Sequence, residues 1–371
     1  MNVNTSIGTT NVSFTPAYFR MAFKLYEDKD YRPLIRMIEK SEMDSMIAGC
    51  LAGREAGYAR DWRIVEASES PQDIEAKEFI ESVFLNLDML YLFDKIFEAK
   101  KKIYSVIDLT WEIENGKQII TNIEMLHQKY FRYDGKELKV DWGKLLKPIE
   151  KDSALVCEYK EKPILLPPLR DYILKEFGIE SWSSFIETFG EPLVIGKYPQ
   201  GADKQFQSEL QAGVNAIASS SKGIVPEGTE INIVEAQRNT GDHQKYTERA
   251  DSSISIAILG HADAVSGSKG TQIGDNQSAF RVRREIAIRD IRYIEQHVSR
   301  LIKMLCDRNF TVKKYPVFSI DKSEPINVKE RLATIDSGWE KGFIIDPSEY
   351  GKLGLHVSEN QQPLINPLIG I

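Results

Sequence analysis

The sequence predicts an α+β protein, mainly helical, in which a small β-rich module interrupts a series of amphipathic helices. Three observations carry that expectation. Apolar residues recur at three- and four-residue spacing over most of the chain, the repeat of one helical face. Between Ile103 and Lys160 the repeat shortens towards two, and the tight-turn pairs Asn115-Gly116 and Asp134-Gly135 divide the interval into hairpins. Third, Ser181 to Tyr198 (SWSSFIETFGEPLVIGKY) joins a helix directly to a strand. Trp182, Phe185, Ile186 and Phe189 share one helical face; Gly190 suits a left-handed C′ position, and Pro192 bars further helix. Leu193 to Tyr198 is then short, apolar and strand-like.

Taken in order, Met1 to Pro16 is rich in Asn, Thr, Ser and Gly, without periodicity, and is expected as a mobile arm. Phe19 to Ala59 is helical in pattern, with Leu34, Ile35, Ile38, Met43, Met46 and Ile47 as its stripe, and Asp61 to Val65 is a strand. Ser70 and Pro71 open the next helix as N-cap and N1, with Asp73 and Glu75 at the positive end of the dipole. Its stripe runs from Ile80 to about Lys102 with a break near Leu87-Asp88, and Lys100, Lys101 and Lys102 are expected as a solvated cationic cap. After the β-rich interval, Pro167-Pro168 begins a helix with a break expected at Gly178. A helix over Gln200 to Ser219, a strand pair within Gly223 to Val234 and a helix over Thr240 to Leu259 follow. Gly260 to Gln277 reads as a long glycine-rich loop, the kind usually kept for function. The longest helix, about Asn276 to Asn309, carries eight Lys/Arg against four Asp/Glu, and two short helices near Val328 to Asp336 and Pro347 to Lys352 close the chain.

The composition narrows the function classes. A length of 371 residues, 42% apolar, with mean hydropathy −0.33, allows a large folded core. The N-terminus lacks a basic region followed by an apolar run, and no apolar stretch approaches the ~20 residues of a membrane helix. Cys50, Cys157 and Cys306 are far apart and in no metal-ligand spacing, as expected of reduced structural thiols in a cytoplasmic protein. A net charge of −7 argues against a tight grip on phosphates. Gly267-Ser268-Lys269-Gly270-Thr271 invites a phosphate-loop reading, but its register fails the G-x-x-x-x-G-K-[ST] pattern. His261 and Asp263 lack a second ligand pair, and no G-x-S-x-G element is present. No catalytic, cofactor-binding or metal-binding residue is assigned, and the chain is not expected to be an enzyme.

The wording of the central stretch adds what periodicity does not. Trp182, then Phe-x-Glu-x-Phe-Gly-x-Pro over 185–192, then Gly196-Lys197-Tyr198 resembles the central signature of portal proteins of Mu-like tailed phages and prophages. The resemblance extends from about Tyr26 to Val357, through Gly57-Tyr58-x-x-Asp61-Trp62-x-Ile64, Gly223-Ile224-Val225-Pro226-x-Gly228-x-x-Ile231 and the ending around Gly342 to Leu355. It departs after Gly260, where His261-Ala262-Asp263-Ala264 stands in place of a Gln-Thr-Leu-Thr type of sequence.

The resemblance implies a portal-type subunit with a flexible arm (1–16), an N-terminal wing (17–79), a stem helix (80–103), a self-contained β-rich clip (104–166) and a second stem helix (167–190). A wing region with tunnel loop and long helix (191–310) and a short C-terminal crown-side region (311–371) complete it. It further implies a homo-oligomeric, probably dodecameric ring at the virion capsid vertex, made in the bacterial host cytoplasm. Double-stranded DNA would pass through it non-specifically during packaging and ejection. The terminase large subunit, the capsid and head-tail connector proteins would be its partners, with no membrane and no cofactor. Gly260, Asp263, Gly267, Lys269, Gly270 and Asp275 are then candidates for a channel loop, and Lys100, Lys101 and Lys102 for cations facing DNA. The competing readings are a metal-dependent nuclease or phosphotransferase with an acidic site, and a monomeric helical adaptor.

Overall fold

The computed structural model describes residues 15–133, 137–141, 145–150, 152–189, 193–197, 200–220, 230–234, 240–261, 273–323 and 328–341. Local signals start most helices. The Thr15 hydroxyl accepts the Tyr18 N–H at 3.2 Å to open α1 (Pro16–Glu27), so Thr15 and Pro16 belong to a capped helix rather than to the arm. After α2 (Arg32–Ser41), Asp44 Oδ1 accepts the Met46 and Ile47 N–H groups, each at 3.0 Å, and opens α3 (Ser45–Glu55). β1 (Trp62–Val65) leads to α4 (Pro71–Leu85), which Ser70 caps at 3.2 Å. Asp88 then caps Tyr91 at 2.9 Å to begin α5 (Met89–Lys102), at the break foreseen between the two helices.

β2 (Tyr104–Glu114) and β3 (Lys117–Leu126) form the first hairpin, and both Asn115 (φ 49°) and Gly116 (φ 78°) take the positive φ that a type I′ turn demands. β4 (Phe131–Tyr133), β5 (Leu138–Asp141) and β6 (Leu146–Pro148) make a small antiparallel sheet, and β7 (Ala154–Glu158) pairs with β2. The Asp134-Gly135 turn lies outside the described residues. α6 (Leu169–Phe189), β8 (Leu193–Lys197), α7 (Lys204–Ser220), β9 (Glu230–Val234) and α8 (Thr240–Leu259) follow. α9 (Ile273–Asn309) spans about 55 Å at ~1.5 Å per residue. β10 (Val317–Ile320), which local pattern does not announce, pairs antiparallel with β1 and sets Phe318 opposite Ile64. Residues 1–320 form one compact unit and 321–371 another; the second contains α10 (Val328–Glu340).

Two apolar cores lie on either side of β2. Ile107 and Leu109 enter the first, with Ile96 and Phe97 of α5, Ile294 and Val298 of α9, and Phe318. Tyr104 and Val106 enter the second, with Leu34 and Ile38 of α2, Ile47 of α3, Tyr172 of α6 and Ile254 of α8. Alternation with period two sends the two pairs to opposite faces of the strand. β7 divides likewise, Leu155 and Cys157 going to the first core and Ala154 to the second. The interval 104–166 is therefore not the self-contained module expected from sequence: its strands are a shared wall of the main body. The expected break at Gly178 is absent too, since α6 runs unbroken through it.

Candidate functional site

The antiparallel helix pair α6/α8 carries a closed module at its far end. Lys175 of α6 meets Asp251 of α8 while Gly178 meets Tyr246, so numbers rise along one helix as they fall along the other. A Cβ on Gly178 would lie 3.2 Å from the Tyr246 ring, which makes this glycine a close-approach point. Lys175 Nζ donates to Asp251 Oδ1 at 2.6 Å and to Asp44 Oδ2 at 2.7 Å, tying the pair to the N-cap of α3. Burial would lower this ammonium's pKa, but the two carboxylates outweigh it and raise it. Between the two helices, β8 pairs antiparallel with β9 from Leu193–Val234 to Lys197–Glu230, and α7 packs on β8. Gly196 permits that packing, because a Cβ there would stand 2.8 Å from Val214 Cγ2. Phe177, Ile179 and Trp182 of α6 and Tyr246 and Ile256 of α8 remain substantially exposed along the pair.

At its other end α8 stops at Gly260, whose φ of +79° and N–H bond to Ile256 O at 2.9 Å make a left-handed stop. Ser255 Oγ donates to His261 O at 2.8 Å, and Arg283 Nε donates to His261 Nε2 at 2.7 Å, so the root of the following loop is fastened to α9. Of the loop candidates, only Gly260 and Asp275 are in described residues. Asp275 lies on the first turn of α9, since the helix begins at Ile273, ahead of the expected end of the loop. Asp263, Gly267, Lys269 and Gly270 lie outside the described residues.

Behind this junction sits a buried charge cluster. Asp290 of α9 is fully enclosed, and its carboxylate takes Arg54 Nε at 2.6 Å on Oδ2, with Arg54 Nη2 at 3.1 Å and Lys100 Nζ at 2.6 Å on Oδ1. Arg54 Nη1 donates to Ile258 O at 3.0 Å, so α3, α5, α8 and α9 meet at one carboxylate. Burial lowers the Lys100 pKa, Asp290 opposing it only in part, and the ammonium also rests over the Tyr159 and Tyr293 rings. Lys101 bonds to Glu98 and stands 3.2 Å from Glu42, while Lys102 lies 3.0 Å from each of the same two residues. Burial works against both ammoniums, yet Glu98 and Glu42 hold their pKa values above the ordinary lysine range.

The lysine triplet is thus neither a solvated cap nor a DNA-facing surface: Lys100, Lys101 and Lys102 are 4%, 7% and 8% exposed, each ending on a carboxylate. Pattern reasoning at the helix end could not see partners contributed by α2, α3 and α9. Asp290 did leave a signal, an acid inside the apolar stripe Ala287, Ile291, Ile294. Among the described residues, no three or more His, Cys, Asp or Glu are grouped to hold a metal, and no helix is long and apolar enough to cross a membrane.

Two buried histidines give the body a pH dependence. His127 Nε2 stands 3.2 Å from Glu39 Oε1 at the edge of the cluster, and His297 Nδ1 donates to Tyr293 O at 2.9 Å. Burial first, then Lys129 and Lys102 for His127 and Arg300 for His297, outweighs that bond and holds both below 6.5. The unfolded chain therefore takes up protons first as pH falls, and stability present above 6.5 is lost down through the folded values. Urea midpoints should drop between about pH 7 and about pH 5.5, with a shallower drop in His297→Gln. Equal slopes in parent and variant would remove His297 from this account.

The fold matches solved particle necks. It superposes on a chain from the neck of an empty gene transfer agent (GTA) particle, computed with C6 symmetry, at TM-score 0.62 and 10% identity, covering 89% of this chain and 94% of that one. A chain from the neck of the native particle, computed with C12 symmetry, gives 0.56 at 8% identity, covering 93% and 95%. The architecture is that of a neck subunit of a tailed particle. Residues 35–355 match the family described as portal protein of Mu bacteriophage, and the chain belongs to that family. Its relatives include the Mu-like prophage FluMu protein gp29 of Haemophilus influenzae, 25% identical over 94% of this chain and 72% of that protein. The portal protein of Escherichia phage Mu is 24% identical over 77% of this chain, which spans 60% of that protein's length.

Proposed function

We propose that the chain is one subunit of a closed homo-oligomeric ring, placed at the capsid vertex after assembly in the host cytoplasm, through which double-stranded DNA is packaged and ejected. The observation that carries this reading is the antiparallel α6/α8 pair, which bears a module of its own and leaves Phe177, Trp182 and Ile256 exposed along its length. Apolar side chains presented along a helix pair suit burial against the next copy, and head-to-tail contacts close into rings. Twelve copies are expected, in line with a neck of C12 symmetry having this fold. The role is structural, with the energy for DNA movement supplied by a separate motor. The capsid and head-tail connector proteins are the further partners expected.

Within that ring α6 and α8 act as the stem, and β8–α7–β9 replaces 104–166 as the clip that meets the terminase large subunit. A module joined to the body only through two helix ends can reach a partner without disturbing the cores. The loop after Gly260 is kept as the channel constriction, its root fastened to α9 through His261 and Arg283.

Light scattering on the purified protein tests the ring: particles many times 42.3 kDa are expected, and a monomer at high concentration in moderate salt overturns the reading. Replacing residues 193–234 by a short Gly-Ser linker tests the tip. The variant should keep the parent's near-ultraviolet signal and lose binding to purified terminase large subunit; undiminished binding would return the clip to another part of the chain.

A further inference from the structure

We propose that a tyrosine-walled cavity bounded by α1, α2 and β2 is a receptor for one guanidinium group, an arginine side chain carried by a partner polypeptide. The cavity is about 140 Å³ and is walled by Tyr26, Tyr31, Tyr104 and Tyr133. Tyr31 is the hub: its ring centroid lies 5.6 Å from Tyr26, 6.4 Å from Tyr104 and 6.1 Å from Tyr133. Two exposed carboxylates, Glu158 and Glu161, stand on the lining and outnumber its one cation, Lys160. Ring faces carry the negative part of the aromatic quadrupole, so faces and acids together favour a cation over a neutral ligand.

Two further observations point to the same place. Of the four non-glycine residues with positive φ among the described residues, two border this cavity. Ile103 (φ 78°) forms part of the wall, although a β-branched side chain strongly disfavours that conformation. Such strain persists only where the surroundings impose it, and it gathers at binding sites. Lys29 (φ 65°) is turned back by its own left-handed backbone, so that its ammonium rests 5.2 Å from the Tyr133 centroid. The protein thus already places a cation on the outer side of one of these rings.

Size and shape select the ligand. The volume suits a head group rather than a whole metabolite, so the cation arrives on a tether. A planar guanidinium stacks on aromatic faces and bonds carboxylates through two parallel N–H groups, which an ammonium cannot do. The inference is independent of the ring reading, because it needs only the folded chain of residues 15–320.

The test is ¹⁹F NMR of the full protein labelled with 3-fluorotyrosine, the Tyr31 signal being assigned through Tyr31→Phe. Titration with Nα-acetyl-arginine amide should shift the Tyr31 signal saturably. Nα-acetyl-citrulline amide, its neutral isostere, should bind at least about tenfold more weakly. Free guanidinium should also bind more weakly than the amide. Glu158→Gln combined with Glu161→Gln, at exposed positions that spare the core, should weaken the arginine amide about tenfold. The proposal is overturned by the absence of a saturable shift, by equal binding of citrulline amide, by free guanidinium binding as tightly as the amide, or by an undiminished response in the double Gln variant.

Discussion

An Asp290→Ala protein is expected to lose about 3–5 kcal/mol of unfolding free energy, the usual result of removing one member of a buried ion cluster. The direction follows from the count of charges. Arg54 and Lys100 share the single Asp290 carboxylate, at contacts of 2.6 Å each, in a site where Asp290 has no solvent exposure. Taking the acid away strands two cations among the Phe97, Tyr159 and Tyr293 rings. The opposite deletion is mild. In Lys100→Met the Arg54–Asp290 pair keeps both its bonds, and a costly buried ammonium is replaced by an apolar chain of similar length. Urea denaturation of the two variants beside the parent checks this asymmetry. Equal losses would mean that the cluster does not work as one anion serving two cations.

The second large effect is expected at Gly260. Gly260→Val should cost about 2–4 kcal/mol, part from forcing a β-branched residue to φ +79° and part from contact. A Cβ there would lie 2.6 Å from Val282 Cγ1 and 3.3 Å from Ile286 Cδ1, so the end of α8 would have to move off α9. Two companions separate the causes. Gly260→Asn, which accepts left-handed backbone, should recover the conformational share of the loss, and adding Val282→Ala to Gly260→Val should recover the steric share. If Gly260→Val denatures at the parent's midpoint, the left-handed stop and its packing on α9 are both wrong.

Local chemistry was legible. The stops and starts written in single residues hold to the position: Ser70 and Asp88 as caps, Asn115-Gly116 as a type I′ turn, Thr240 and Leu259 as the ends of α8. What failed to read out was distance along the chain. Nothing near Trp62 says that its strand is completed by Val317 to Ile320, and nothing near Lys100 says that an acid 190 residues later lies against it. The triplet Lys100 to Lys102 has the same letters whether water or Glu42 and Glu98 receive it. Gly178 was misread for a related reason: a glycine that breaks a helix and one that admits a neighbour's ring are alike until the neighbour is known. The family resemblance rested on contiguous words such as Phe-Gly-x-Pro, and the family match covers the same stretch.

Strand β2 has one further consequence, for how the sequence can drift. From Tyr104 to Leu109 its side chains are claimed alternately by the two cores, so neither face is spare. A change that suits one neighbour gains nothing if the adjacent position offends the other, and a register slip of one residue would exchange all the assignments at once. Beyond Thr110 the same strand runs out of both cores: Glu112, Ile113 and Glu114 are exposed as the hairpin leaves the body. One continuous strand therefore contains both extremes of mutational freedom, locked at its root and open to rewriting at its tip.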